Sequence, residues 1–380
     1  MKAIIINSKK KDNPYLFNIF QELKTRGFSF YYFSTKNYKL NNLKLPIKKI
    51  FVGPKLNNNF KSLLFIFFLP FLIFWYFFII LNYKYKKKIK TIICLNWNEK
   101  IIFSSIAKIL KLKIIWLENP EINYSLKPKI LILLYRFFSK KVKIICFINF
   151  TKTQLKNLKI KDNNINLILP GIKLKQLKRQ ETIYTDLVKT EQKNNKTKFF
   201  TLGIISKLEK NNQIENLFKA IKNSLTVIPN LQLIVVGDGA ERKNLIWLAK
   251  KMEIDNLVWF VGGPEKEEQS FRLKKWLDSF DIYIAINEET YLSDLAIILK
   301  AMACSLPIIG FVNQGYEDII IHDKTGLLTE AGNAESLTQE IIKLQQNKRL
   351  RLNLGKNAQN LVDKKFTIDK MVGELAKILK

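Results

Sequence analysis

The sequence holds one histidine, His322, and three cysteines, Cys94, Cys146 and Cys304, in 380 residues. One imidazole makes no histidine cluster for a metal. Cysteines in apolar surroundings without paired spacing argue against a disulfide framework and a zinc site, and point to a reducing compartment. Fourteen glycines and ten prolines give no sign of a fibre. Met1-Lys2 leads into Ala3-Ile4-Ile5-Ile6 and then charge, without the long apolar core of a cleavable leader. Acidic residues are scarce in one half only. Residues 1–190 hold 37 Lys and Arg against 8 Asp and Glu, net +29, whereas residues 191–380 hold 27 against 24, net +3.

A bias of composition toward Lys, Asn, Ile and Phe would act on both halves, so this asymmetry points to an anionic surface facing the first half. No helix-turn-helix, zinc-finger or RNP-type pattern accompanies the charge. Membrane headgroups or a lipid-diphosphate acceptor are therefore expected as partners, and nucleic acid is not. At 380 residues the chain is long enough for two cores, since single cores stop growing near ~250 residues.

Along the chain, residues 3–6 predict a first strand, residues 13–24 a helix stopped by Gly27, and residues 28–33 and 48–52 further strands. Residues 63–81 form the longest apolar run, containing Pro70 and followed by Lys84, Lys86, Lys87, Lys88 and Lys90. By hydropathy this is a transmembrane candidate, as ~20 apolar residues span the hydrocarbon core and the basic flank fits the cytoplasmic side. The strands on either side of it belong in one sheet, however, and a single crossing would separate them. The reading is a helix bent at Pro70, partly packed on the sheet and partly sunk into one leaflet. Residues 114–120 end another strand, residues 130–140 predict a basic amphipathic helix, and residues 143–148 and 167–171 predict strands. Residues 173–197 are polar and patternless and read as a linker. Beyond it, β-rich runs at 199–203, 231–239, 257–262, 281–286 and 306–310 alternate with helical spacers, the pattern of a parallel sheet covered on both faces.

Several pieces of the second half carry a family resemblance. In order they are Gly203, Ser206-Lys207-Leu208-Glu209, Val235-Val236-Gly237-Asp238-Gly239, Phe260-Val261-Gly262, Ala301-Met302-Ala303-Cys304-Ser305-Leu306-Pro307 and Lys324-Thr325-Gly326-Leu327-Leu328. This series resembles the C-terminal half of GT-B glycosyltransferases of the family 4 type. The Asn13-Pro14-Tyr15 helix start and the Leu169-Pro170-Gly171-Ile172 turn also resemble members of that group, while the usual glycine-rich loop after the first strand is missing. The resemblance implies an α/β GT-B fold, two doubly wound Rossmann-like domains with an interdomain cleft. The expected parts are an acceptor-binding, membrane-facing domain at 1–172, the linker at 173–197, a nucleotide-sugar domain at 198–362 and a helix at 363–380 returning to the first domain.

The implied chemistry is transfer of a hexose from a nucleotide-diphospho-sugar to a glycan or lipid-linked acceptor, with retention expected and no cofactor or metal beyond the donor. Stabilising the departing diphosphate falls to Lys207, with Asn212 where the family usually has lysine, Gln213 in place of glycine, and Lys210 within reach of the same phosphates. The plainer reading of Lys207 and Lys210 is solvated surface lysines. The family's acid pair falls on Leu292 and Lys300, so Glu289 or Glu288 would have to bulge into the first position. Lys300 has only donors where the family accepts hydrogen bonds from ribose, and would suit phosphate or an acidic sugar instead. Gly203, Gly237, Gly239 and Gly262 are needed first for tight turns, and Phe260, Val261 and Gly262 resemble the loop on which the base rests. Glu118, at a strand's C-terminal end, is the candidate general base should transfer invert, with Glu99 and Glu121 competing. The expected location is cytoplasmic, peripheral at the inner face of the membrane. Two rivals stand beside this reading: a catalytically degenerate scaffold of the same fold, and a GT-B enzyme of another reaction such as a nucleotide-sugar epimerase.

Overall fold

The computed structural model describes residues 1–8, 14–35, 46–53, 59–120, 128–174, 177, 199–210, 213–262, 269–287, 291–312 and 315–380. The chain divides into two compact units. One comprises Met1–Pro170, Tyr291–Ser293 and Asp369–Lys380, and the other Gly171–Thr290 and Asp294–Ile368. The predicted linker at 173–197 lies outside the described residues except for Lys173, Leu174 and Leu177.

The first unit is a seven-stranded sheet of β1 (Lys2–Asn7), β2 (Ser29–Ser34), β3 (Ile47–Lys49), β4 (Thr91–Cys94), β5 (Lys113–Glu118), β6 (Lys143–Cys146) and β7 (Ile165–Leu167). All pairings are parallel, in the order β3-β2-β1-β4-β5-β6-β7. Uninterrupted apolar runs such as Ala3-Ile4-Ile5-Ile6 and Ile92-Ile93-Cys94 are buried on both faces, which is why they read as continuous rather than alternating. Its helices are α1 (Pro14–Thr25), α2 (Asn59–Lys87), α3 (Trp97–Ile109), α4 (Lys129–Ser139) and α5 (Asn149–Asn157).

Helix α2 covers the long apolar run, with Pro70 inside it. Phe65, Leu72, Tyr76 and Ile80 form a buried stripe at helical spacing within the core of the sheet. Each such side chain contributes about 1.5–3 kcal/mol of burial. The Tyr76 hydroxyl donates to the Phe51 carbonyl at 2.7 Å and accepts from the Phe51 N–H at 2.8 Å. By length and composition Lys61–Lys87 is long enough to cross a membrane. Its two ends nevertheless lead to β3 and β4 of the same sheet.

Glu118 closes β5 at the strand's C-terminal end, but its side chain is not open to solvent. It is fully buried together with Lys100 of α3, the Nζ to Oε1 distance being 2.6 Å. The Tyr135 hydroxyl of α4 donates to the same carboxylate oxygen at 2.6 Å. The Trp97 and Trp116 rings each stand 4.5 Å from the Tyr135 ring, centroid to centroid. The expectation of an accessible general base at Glu118 is thus corrected: an acid already clamped between an ammonium and a phenol inside a ring cage is a tie between α3, β5 and α4.

The second unit holds a six-stranded parallel sheet ordered β10-β9-β8-β11-β12-β13. Its strands are β8 (Phe200–Ile205), β9 (Leu231–Val236), β10 (Val258–Phe260), β11 (Ile282–Ala285), β12 (Ile308–Phe311) and β13 (Leu327–Thr329). The helices are α6 (Ile214–Ser224), α7 (Arg242–Lys251), α8 (Gln269–Ser279), α9 (Leu292–Ala303), α10 (Ala334–Gln346) and α11 (Lys348–Lys365). Helix α11 runs through Asp363, and a separate helix, α12 (Ile368–Leu379), follows the break at Phe366-Thr367. Most of α12 belongs to the first unit, where the Tyr15 hydroxyl lies 3.3 Å from Met371 Sδ and Arg26 pairs with Asp369 at 2.7 Å.

The buried pair gives a test of the corrected assignment. Lys100→Met or Glu118→Gln alone should cost about 3–5 kcal/mol by stranding the other member, whereas Lys100→Met with Glu118→Leu should come close to wild type. Urea midpoints at fixed pH measure both. If Glu118→Gln leaves the stability curve unchanged, the pair is not the tie described.

Candidate functional site

In the second sheet the strand order reverses between β8 and β11. Loops leaving these neighbouring strands depart to opposite sides, and the crevice at their C-terminal ends is where ligands collect in doubly wound sheets. The residues at that point are Ser206 to Lys210 after β8, and Ile286-Asn287 after β11. Ser206 Oγ donates to Asn287 Oδ1 at 2.9 Å, and Asn287 Nδ2 donates to Asp294 Oδ2 in the first turn of α9 at 3.0 Å. The phenols of Tyr283 and Tyr316 are pushed well above the usual tyrosine value, by burial first and by the charge of Asp294 second. Both therefore stay protonated and can donate beside that carboxylate.

The loop after β8 is pinned to its neighbour by backbone contacts. The Ser206 N–H bonds the Val236 carbonyl and the Leu208 N–H bonds the Asp238 carbonyl, each at 3.1 Å. A Cβ at Gly237 would stand 1.8 Å from the Ser206 carbonyl oxygen, and one at Gly239 2.2 Å from that of Leu208. Only glycine permits so close an approach. Gly237 N–H in turn bonds the Gly262 carbonyl at 2.9 Å, so the loops after β8, β9 and β10 form one layer.

Lys207 lies between the two pinned residues Ser206 and Leu208. Its side chain is 55% exposed and contacts the Glu209 carboxylate. An exposed pair of this kind is worth about 0–1 kcal/mol, so the ammonium can change partners at little cost. Lys210 is exposed at the end of the loop, and α6 then starts at Ile214 after Gln213 in the left-handed region, φ 54°. The N-terminus of α6 adds unsatisfied N–H groups and a positive dipole end to the same loop. Asn212 lies outside the described residues, as do Glu288, Glu289 and Glu121.

Other predicted positions have more structural assignments. Gly203 sits within β8, where a Cβ would fall 2.1 Å from the Phe280 ring, so it is a packing position. The Phe260 ring packs edge-on to Phe218 at 6.3 Å. Val261 N–H bonds the Val235 carbonyl at 3.1 Å and Gly262 takes φ +75°, which turns the chain at the end of β10. Lys300, on α9, is half-buried, and burial pulls its ammonium below the usual lysine value. Its Nζ has no hydrogen bond or ion pair among the described residues.

The first sheet reverses its order between β1 and β4. There Asn96 Nδ2 donates to Asn7 Oδ1 at 3.1 Å and Asn7 Nδ2 to the Tyr32 hydroxyl at 2.8 Å. Glu99 is fully buried and accepts from the backbone N–H groups of Ser8, Leu95 and Asn96 and from Asn96 Nδ2. It caps α3, and desolvation raises its carboxyl against those donors. As a base it would first have to give up these bonds. Asn7, Asn96, Asn287 and Asp294 were not singled out by sequence. The three asparagines stand at or just past strands flanking a reversal of order, and Asp294 in the first turn of the helix that follows one, a signal readable only once the strand order is known. Among the described residues no group of three or more His, Cys, Asp or Glu side chains could hold a metal ion.

Comparison with known proteins agrees with this geometry. Residues 186–361 match the family described as Glycosyl transferases group 1. The N-acetyl-alpha-D-glucosaminyl L-malate synthase of Bacillus anthracis is 26% identical over 170 residues, 45% of this chain and 42% of that protein. The lipopolysaccharide core biosynthesis glycosyltransferase LpsE of Rhizobium meliloti is 22% identical over 150 residues, 40% of this chain and 42% of that protein. The chain thus spans less than half the length of these curated relatives. The crystal structure of HepE of Anabaena in complex with UDP superposes with a TM-score of 0.80 at 15% identity, covering 100% of this chain and 99% of that one. With a pinned basic loop at the reversal of the second sheet, residues 186–361 are similar to the glycosyl transferases group 1 family, and the chain is built on the GT-B fold.

Proposed function

We propose that the protein transfers a hexose from a nucleotide-diphospho-sugar to a glycan or lipid-linked acceptor in the building of a surface polysaccharide or lipopolysaccharide. The observation that carries the reading is the Lys207 loop, held by backbone bonds at the strand reversal and leading into the α6 N-terminus. In transfer the bond between the anomeric carbon and the diphosphate breaks, a bond to an acceptor oxygen forms, and the acceptor hydroxyl loses its proton. Charge accumulates on the departing diphosphate, and fixed donors aimed at it act mainly in the transition state. Lys207, Lys210 and the first N–H groups of α6 supply that field. Two further observations support the donor class: HepE was crystallised with UDP and with UDP-glucose. Retention at the anomeric carbon, the absence of a required metal and a place at the inner face of the cytoplasmic membrane are parts of the same proposal.

Lys300 bears on the rival scaffold reading, since a half-buried ammonium with no acceptor among the described residues stands where the family accepts ribose hydrogen bonds. On the transferase reading it meets an anionic group of the donor.

Two outcomes are expected. Lys207→Ala should lower turnover about 10²-fold and weaken binding of UDP or GDP sugars in calorimetric titration. Wild-type protein that gives no heat with any nucleotide would favour the scaffold. Lys300→Met should separate stability from binding: it removes a desolvated ammonium, so the melting temperature should rise, by the equivalent of about 1 kcal/mol. The sign follows from the lowered value, because a lysine depressed in the fold opposes folding in full below its folded value, and the penalty fades as pH rises from there to the ordinary lysine value. Nucleotide-sugar affinity should fall in the same variant. A more stable variant with unchanged affinity would remove Lys300 from the site.

A further inference from the structure

The first unit carries a surface that neither its sheet nor the transfer reaction uses. On the side of α2 opposite the buried stripe, Leu63, Phe67, Phe71, Phe74, Trp75 and Phe78 are exposed, Phe67 at 78%. A monomer rarely leaves a contiguous apolar patch above a few hundred Å² to water, and a helix apolar on both sides needs a second apolar neighbour. Helix α4 repeats the pattern, with Leu131 and Tyr135 inside and Ile130, Leu133 and Phe137 exposed at helical spacing. Both helices pack on α3, which is buried over nearly its whole length, so the two exposed stripes lie on one face of the sheet.

Crossover helices on one face of a parallel sheet run in the same direction, so α2, α3 and α4 end at the same edge. Lys84 Nζ bonds the Leu110 carbonyl at 2.9 Å, joining the end of α2 to the end of α3. At that edge stand Lys86 and Lys87 in the last turn of α2, Lys88 and Lys90 after it, and Lys140 and Lys141 after α4, all exposed. Residues 59–90 and 128–143 contain no Asp or Glu. The apolar stripes are thus bordered by positive charge, and neither segment carries an acidic side chain to offset it.

We propose that this face, α2 with α4, is a membrane-docking surface that lies in the plane of one leaflet of an anionic bilayer. Apolar side chains with a lysine border match the acyl boundary and the acidic headgroups above it, each basic residue near such a surface adding about 1 kcal/mol of attraction. A second copy of the chain is the poorer occupant, because a two-fold contact would set two lysine borders against each other, both within a stretch, residues 1–190, of net charge +29. Crossing is excluded by connection, since β3 and β4 share a sheet while α2 joins them. The exposed side chains then sink ~5–10 Å, to the headgroup and acyl boundary. The inference deepens the peripheral placement proposed above and rests on it. It does not rest on the transfer reaction, because lipid binding is read without any donor, so the two can fail separately.

The test is flotation of the full chain with phosphatidylcholine vesicles, with and without phosphatidylglycerol. The wild type should float with the anionic vesicles and be released by salt. Phe71→Glu with Phe74→Glu should weaken vesicle binding at least ~10-fold, and Lys86→Gln with Lys87→Gln and Lys90→Gln about 10²-fold on anionic vesicles only. All five positions are exposed, so the melting curves of both variants should match wild type and keep a loss of binding interpretable. Brominated lipids should quench Trp75 from shallow and not from central positions, with Trp75→Phe as the control. Wild type that stays unbound at low salt, or variants that bind as wild type, would overturn the proposal. So would a wild-type dimer that the Phe71 and Phe74 variant dissociates while vesicles go unbound, and quenching from the bilayer centre would overturn the in-plane placement.

Discussion

A parallel sheet can continue only if every strand is followed by a crossover long enough to return to its starting edge, and that constraint organises both units. Each sheet begins in its middle, at β1 or β8, grows outward on one side, then returns to the starting strand and grows on the other. The return leaves two neighbouring strands whose loops diverge, and backbone groups there have no strand to pair with. In the first unit Glu99 takes up three of those N–H groups, and in both units side chains bond one another across the gap, Asn96 to Asn7 in the first and Ser206 to Asn287 to Asp294 in the second. The polar lacing at the reversal is a consequence of topology before it is anything chemical. The proposed transfer draws on one feature added in the second unit, a lysine held between two pinned neighbours.

Many of the strand positions were legible because buried parallel strands announce themselves as apolar runs. Residues 3–6, 143–146 and 231–236 all became strands for that reason. The place of Lys207 in the loop after β8 was legible because it follows such a run. Glu118 also follows a run, and the same reasoning made it look accessible, but whether a strand-end side chain meets solvent depends on which helices cover it. Lys100 and Tyr135 come from α3 and α4, and no spacing in the sequence brings them to Glu118. Gly203 was misleading in a related way, since its lack of a side chain serves the Phe280 ring, far along the chain. Asn287 and Asp294 were invisible because their meaning depends on β8 and β11 being neighbours.

The two sheets also differ in where their charge lies. In the second unit acids and bases nearly balance, and its exposed lysines include loop residues such as Lys207 and Lys210 as well as the helix-end pairs Lys250-Lys251 and Lys364-Lys365. The first unit gathers lysines at helix ends, where they also complement the negative end of the helix dipole. Lys84 bonding a terminal carbonyl of α3 is one instance in which the same residue type serves the fold. Composition alone merges these two uses of lysine, and only position separates them.

Helix α2 raises a question of orientation about its own axis. When a helix has an ordinary apolar stripe, hydrophobic burial alone decides which side turns inward. Here Phe65, Leu72 and Ile80 point in while Phe67, Phe74 and Phe78 point out, and exchanging the two sets would bury much the same area. What distinguishes the observed rotation is polar: the Tyr76 hydroxyl reaches both backbone groups of Phe51, and Lys84 reaches the Leu110 carbonyl. These few directional bonds act as an index mark on an otherwise featureless cylinder. In a helix greasy on every side, the hydroxyl and the ammonium specify the angle, and the apolar atoms supply only the force.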